Sequence, residues 1–237
     1  MLSAPRLNAK GRWWKRLKPT LTVLGFAILA LILFWELAGR SWAAHWGTTN
    51  TELAKAWPGD EMVVNSAGAA THAVTIDAPP QAVWRWLVEV GQDRAGFFSY
   101  DWLEQAVGAE IHNTFEIRPE WQERRPGDDL WMAPKHLANG QVRLKFVRVE
   151  PYRLMLMVPP PDFDTVLRAG RGATAVWGWY LQAVDGTRTR LVMRLQGTKN
   201  APPLMRALSY VVWDNAHFFM ERKMLLTIKA LAENRQP

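Results

Sequence analysis

Two groups of side chains in this 237-residue chain have the types and spacing for chemistry. Asp101 and Glu104 stand three apart in a helix whose start is signalled by Ser99, and two carboxyls so spaced could serve as an acid–base pair. Carboxylates in a first helical turn also stabilise the helix dipole with no further role. The second group is a polar stripe, Tyr210, Asp214, His217 and Glu221, on a helix otherwise apolar around most of its circumference between Val211 and Leu226. Polar groups on a covered helix must be hydrogen-bonded or wet. The stripe therefore stands either at the mouth or wall of a ligand cavity, or at solvent and against strand arginines. Asp214, His217 and Glu221 also have helical spacing for a metal, but no second cluster of similar density joins them.

Other signatures are missing. The chain has no G-x-S-x-G elbow, no H-E-x-x-H and no P-loop, and Gly170-Arg171-Gly172 lacks the third glycine of a dinucleotide loop. With no cysteine, disulfides, thiolate catalysis and Cys-zinc sites are excluded. The sequence assigns no catalytic residue, no metal and no cofactor. It does supply 14 tryptophans, an excess that argues for some aromatic side chains facing a cavity rather than only filling a core. The candidate ligand-binding set is Phe98, Tyr100, Trp102, Trp121, Trp179, His217 and Glu221, around a cavity of roughly 300–1,000 Å³ if it serves a small molecule.

The elements that must position these residues follow from periodicity and punctuation. Ala73–Ala78 reads as a strand, and Pro79-Pro80 opens a helix to about Val90 with Val83, Trp86, Leu87 and Val90 on its buried stripe. Ser99 caps a second helix reaching Val107. Leu130–Ala133, Val142–Glu150, Arg153–Val158, Thr174–Gln182 and Thr187–Leu195 read as strands, with Asn139-Gly140 and Val184-Asp185-Gly186 as hairpin signals and 159–172 as a long loop. Arg188, Arg190 and Arg194 alternate with apolar residues, so one sheet face is expected to be wet. Pro202-Pro203 starts a helix of roughly thirty residues ending near Glu233. A strand, two helices, a curved meander and a closing helix make a cup with an apolar interior.

The formal charge of +7 is local. Arg6, Lys10, Arg12, Lys15, Arg16 and Lys18 precede Pro19 with no acid among them, which leaves 23 of the 29 basic residues against 22 acidic ones. The body has no phosphate-binding footprint, so nucleic acid is discounted as a partner. Pro19–Trp35 carries no charge, and its seventeen residues span roughly 25 Å as a helix. Trp13 and Trp14 on one side, and Trp35, Trp42 and Trp46 on the other, suit the two interfaces. Six basic residues precede the run and only Arg40 and Lys55 follow closely, so the N-terminus is expected in the cytoplasm and the domain outside. The competing reading is a cleaved signal peptide with Ser41-Trp42-Ala43 as its site, although signal h-regions run only about 7–15 residues.

The chain resembles the START/polyketide-cyclase-like (SRPBCC) superfamily, particularly its membrane-anchored bacterial members. The residues that carry the likeness are Ile76–Trp84, the block from Ala95 through Tyr100-Asp101-Trp102 to Glu104, Ile111-His112-Asn113, Pro119-Glu120-Trp121, Gly127-Asp128 and Met220–Leu226. The resemblance implies an α+β helix-grip fold, an antiparallel curved sheet around a long C-terminal helix with an apolar cavity between them. It implies activities ranging from lipid carriage and ligand sensing to aromatic-ring cyclisation, and transfers no catalytic residue. The expected organisation is a basic cytoplasmic tail (1–18), a transmembrane helix (19–38), a spacer with a short helix capped by Thr49 and Glu52 (39–70) and the ligand-binding domain (71–237). The expected partner is a hydrophobic small molecule or lipid, with the membrane engaged through the N-terminal helix. A cyclase- or dehydrase-like enzyme and a non-binding structural domain are the rival readings.

Overall fold

The computed structural model describes residues 10–106, 108–200, 202–204 and 214–235. It divides into two compact units, residues 1–43 and 44–237. The expected features at Arg6, Val107, Tyr210 and Val211 lie outside the described residues.

In the first unit, α1 (Lys10–Phe34) passes through a π-helical turn (Trp35–Gly39) into α2 (Arg40–Ala44). Gly39 is required there, because a Cβ would meet the Trp35 ring at 2.4 Å. The large apolar side chains from Leu21 to Phe34 are exposed, as expected of a surface made for a non-aqueous environment. The helical run Pro19–Ala44 is long and apolar enough to cross a membrane.

The second unit is built on a six-stranded antiparallel sheet in the order β1-β6-β5-β4-β3-β2. The strands are β1 (Ser66–Ile76), β2 (Asp129–Trp131), β3 (Arg143–Glu150), β4 (Leu154–Val158), β5 (Ala175–Ala183) and β6 (Thr189–Thr198). The helices are α3 (Asn50–Ala54), α4 (Pro80–Leu87), α5 (Asp101–Ala106), α6 (Phe163–Ala169) and α7 (Asp214–Ala232). This is the expected α+β architecture with a C-terminal helix against the sheet. Irregular register in the β1–β6 and β3–β4 pairings bends those strands.

Side-chain alternation divides the core into two. On the inner face Val74, Ile76, Met155, Met157, Trp177, Trp179, Leu181, Leu191 and Met193 pack with α4 and with Met224, Leu225 and Ile228 of α7. On the outer face Ala73, Leu154, Leu156, Val158, Val176, Tyr180 and Val192 pack under Trp57, Met62, Val63 and Val166. β4, which is apolar throughout, is central and wholly buried. The expected wet face is thus covered. Residues read from sequence as a spacer supply the cover, and they neutralise the outward arginines. Arg190 pairs with Glu52 at 2.7 Å and Arg194 with Asp60 at 2.8 Å. The Arg190 hydrogen bond is the main reason the Glu52 carboxyl is held down to about 2.

Local signals explain most boundaries. Pro79 is the N-cap and Pro80 the first residue of α4. Thr49 and Glu52 form the reciprocal capping box of α3. Asp185 accepts from the Thr187 and Arg188 amides and closes the β5–β6 turn. Elsewhere the structure departs from expectation. Ser66–Ala70, expected to end the spacer, is strand, because it adds to the β1–β6 ladder. The 159–172 loop contains α6, ended by Gly170 at φ +69°. Asn139-Gly140 is not a tight hairpin; Ala138 and Asn139 both take positive φ inside a longer β2–β3 connection. The buried face of α4 is Val83, Trp84 and Leu87, with Trp86 only half-buried against Phe98.

α7 lies along β1. Its contacts to that strand advance together, Glu221 to His72, Lys229 Nζ to the Thr75 carbonyl at 2.6 Å, and Glu233 to the Asp77 amide at 2.7 Å. That placement brings the inward face of α7 over β5.

Candidate functional site

Alternation along β1 turns Thr71 and Ala73 outward and His72 inward, where His72 is the polar member of an otherwise apolar series with Val74 and Ile76. His72 Nδ1 hydrogen-bonds Glu221 Oε2. From β5, Trp177 Nε1 donates to Glu221 Oε1 at 2.9 Å. His217, one turn earlier on α7, brings its Nδ1 to 3.7 Å from Glu221 Oε2 and its ring edge-on to Trp177. Glu221 is 2 % exposed and His72 1 %.

Burial alone would raise the Glu221 carboxyl, but His217, His72 and the Trp177 donor together outweigh it and hold it below the ordinary carboxylate range. Burial holds the His217 imidazole below its ordinary range, against the opposing pull of the Glu221 carboxylate. The arrangement can accept further hydrogen bonds at Glu221 and exchange a proton at His217.

This cluster backs a cavity of about 60 Å³ lined by Phe97, Ser99, Met132, Trp177, His217, Met220, Glu221 and Met224. The lining surface is almost wholly apolar. Its volume holds a few waters and is well below the roughly 300–1,000 Å³ of small-molecule sites.

The wall opposite α7 is the aromatic block, held in shape by backbone requirements. Gly96 has φ +83°, and a Cβ there would meet Asn113 Oδ1 at 2.6 Å. Asn113 Oδ1 accepts from the Phe98 amide at 2.5 Å, while its Nδ2 donates to the Ser99 carbonyl at 3.2 Å and to Asp101. Phe98 itself has φ +54°, which reverses the local alternation and sends its ring to Trp86 and Phe115. Phe97, not Phe98, therefore lines the cavity. Ser99, expected to cap α5, instead donates to the Met220 carbonyl at 3.1 Å and ties the block to α7.

Of the expected ligand-binding residues, the structure brings His217 and Glu221 to the cavity. The polar stripe therefore faces inward at these two positions, and Asp214 is exposed. Phe98 and Trp179 are buried in the core, Trp179 edge-on to Trp177 at 4.9 Å. Tyr100 is half-buried against Trp102, which is 68 % exposed, and Trp121 is half-buried under Arg118. None of these five lines the cavity. Sequence reasoning missed His72; extending β1 upstream from Ala73 would have found it by parity.

The carboxyls of α5 do not meet the cavity. Asp101 accepts from Asn113, while Glu104 is 1 % exposed with neither oxygen hydrogen-bonded among the described residues. Burial first, and Asp101 second, push the Glu104 carboxyl up to about 7. Among the described residues, no group of three or more His, Asp or Glu side chains is arranged to hold a metal ion.

No protein-family model and no curated protein sequence matches the chain. Solved structures similar to it include an aromatase/cyclase from Streptomyces sp. R1128, at 18 % identity over 70 % of this chain and 93 % of that one, with a TM-score of 0.34. A polyketide-cyclase-like protein from Corynebacterium glutamicum matches at 13 % identity over 70 % and 90 %, with a TM-score of 0.30. A conserved protein of unknown function from Enterococcus faecalis matches at 15 % identity over 73 % and 75 %, with a TM-score of 0.36.

Proposed function

We propose that this chain is a membrane-anchored domain that holds a hydrophobic small molecule or lipid between the inner face of its sheet and α7. The observation that carries the reading is an apolar cavity backed by one buried, ionised carboxylate whose oxygens are engaged by Trp177 and His72. Apolar walls with a few convergent polar groups are the usual make-up of a small-molecule site. A ligand needs more than the resting 60 Å³, and three of the lining residues, Met132, Met220 and Met224, are flexible thioethers that repack at low cost. On this reading Phe98 and Trp179 support the wall from behind, and Tyr100, Trp102 and Trp121 meet a ligand only as the wall opens.

The anchor is the helical run Pro19–Ala44. The excess of basic residues before Pro19 supports a cytoplasmic N-terminus and an extracytoplasmic domain. Reporter fusions after Gly39 and after Pro237 should be active only on the outer side; cytoplasmic activity at both points refutes the topology.

Binding is tested by thermal denaturation of the full chain with decan-1-ol and with a phospholipid. A ligand at 100 times its dissociation constant stabilises by about 2.7 kcal/mol. The wild type should gain stability and a Met224→Trp variant, with its cavity filled, should not. No gain with either probe counts against the reading.

Two rival readings each have an observation behind them. His217 beside Glu221 on the cavity wall suits a general base, which favours a cyclase- or dehydrase-like enzyme acting on a polyketide-type or other hydrophobic substrate. Turnover abolished in Glu221→Gln with binding intact would establish that reading. The small cavity favours a structural domain that binds nothing.

A further inference from the structure

Two hydrogen-bond donors at the cavity are already committed. Trp177 Nε1 donates to Glu221 Oε1 at 2.9 Å, and Ser99 Oγ donates to the Met220 carbonyl at 3.1 Å. His72 Nδ1 meets the other oxygen, Glu221 Oε2, and His217 Nδ1 lies 3.7 Å from it. Cations on α7 are engaged elsewhere. Arg222 lies over the Trp46 ring at 4.9 Å, and Lys229 Nζ donates to the Thr75 carbonyl and to Glu233, each at 2.6 Å. Among the described residues, no lysine or arginine lines the cavity.

What this wall keeps is the capacity to accept. An ionised carboxylate has about four lone-pair positions, and Trp177 and His72 take two of those on Glu221. A negative charge buried among apolar walls favours a donor, above all a cationic one. It repels a second anion strongly, because such surroundings screen little. At rest the lining is almost wholly apolar, so an entering head reaches Glu221 as Met220 and Met224, its neighbours on α7, repack.

We infer that the cavity takes a ligand whose hydrogen-bond-donating head, an ammonium or a hydroxyl, is directed inward onto Glu221, and that it rejects a carboxylate head, an inference that rests on the ligand-holding reading. The ligand class narrows from hydrophobic molecules in general to apolar amines and alcohols, and away from fatty acids. The apolar remainder of such a ligand lies against Phe97, Met132 and the two α7 methionines.

Decylamine, decan-1-ol and decanoate are titrated calorimetrically into the full chain in a non-ionic detergent at about pH 7, where the amine is protonated and the acid ionised. Met224→Trp, with its cavity filled, supplies the blank for partition into micelles. Decylamine and decanoate match in length and in size of charge, so the gap between them reports the sign of the wall. Wild type should bind decylamine at least about tenfold more tightly than decanoate, a difference of about 1.4 kcal/mol. In Glu221→Gln the gap should close to within about threefold. Orientation is read on wild type alone. Decan-1-ol carbon-13-labelled at C1 should give a nuclear Overhauser contact from its C1 protons to the Trp177 indole N–H. Decanoate bound as tightly as decylamine overturns the inference and leaves the ligand-holding reading standing. A gap unchanged in a folded Glu221→Gln, or contact to Trp177 from the C10 methyl alone, overturns the inward head on Glu221. No binding of any of the three beyond the blank overturns the ligand-holding reading and the inference with it.

Discussion

Replacing Glu221 with leucine removes the acceptor shared by Trp177 and His72 while keeping an apolar side chain of similar size. Both donors are then left buried without that acceptor, Trp177 at 4 % and His72 at 1 % exposure. An unsatisfied buried donor costs about 1–3 kcal/mol, so the two together cost about 2–6 kcal/mol, and the middle of that range, about 3–5 kcal/mol, is expected for the variant. For a folded unit of this size, each kcal/mol moves the thermal midpoint by about 2–4 °C, so a fall of roughly 6–20 °C is expected. Glu221→Gln keeps an acceptor for Trp177 and should cost far less. The assay is thermal denaturation of the full chain in detergent, with near-ultraviolet circular dichroism reporting the tryptophan environment. The pH dependence gives a second reading. The Glu221 carboxyl is held below its ordinary value in the fold, so its contribution is present above the unfolded value near 4.5 and is lost as pH falls through the folded value. Wild type should therefore converge on Glu221→Gln in acid. A Glu221→Leu midpoint within a degree or two of wild type would refute the buried network as described.

Glu104 runs in the opposite sense. Its folded value of about 7 lies above the unfolded 4.5, so it costs stability increasingly as pH rises through that window, and Glu104→Gln should be more stable than wild type at pH 8 but not at pH 4 in a denaturant titration. Arg124 is 7 % exposed and donates to the Val88, Val90 and Asp129 carbonyls, of which Val88 also accepts from Arg94, so Arg124→Met should cost chiefly the Val90 and Asp129 bonds and lower stability by about 2 kcal/mol or more, checked by urea midpoint. Gly96→Ala forces a Cβ against Asn113 at a positive φ, and a loss of about 1–3 kcal/mol should appear in the same titration together with faster amide exchange at Phe98.

The fold was legible where local chemistry and tertiary demand agree. Pro79-Pro80, the Thr49–Glu52 box and Asp185 each carry their own geometry, and the unbroken apolar run of β4 could only be a central strand. It was illegible where a distant segment decides the outcome. Arg190 and Arg194 read as solvent-facing because nothing near them in sequence signals that Glu52 and Asp60 will fold across and neutralise them. The small residues of Ser66–Ala70 have weak strand propensity and become strand because β6 is already there to pair. The site was half legible. Helical spacing put His217 and Glu221 on one face, but not whether that face was wet. One left-handed residue, Phe98, exchanged the roles of two adjacent phenylalanines, and no periodicity contains that information.

The central claim is that this cavity holds a hydrophobic ligand, and the most direct measurement is native mass spectrometry of the full chain released gently from membranes, beside Met224→Trp prepared the same way. A thermal midpoint for the variant near that of wild type establishes that it is folded. The account predicts wild type carrying a non-covalent mass that extracts into organic solvent as an apolar small molecule or lipid, and a variant stripped of it. Wild type and variant both at the bare chain mass, or both carrying the same adduct, would contradict it.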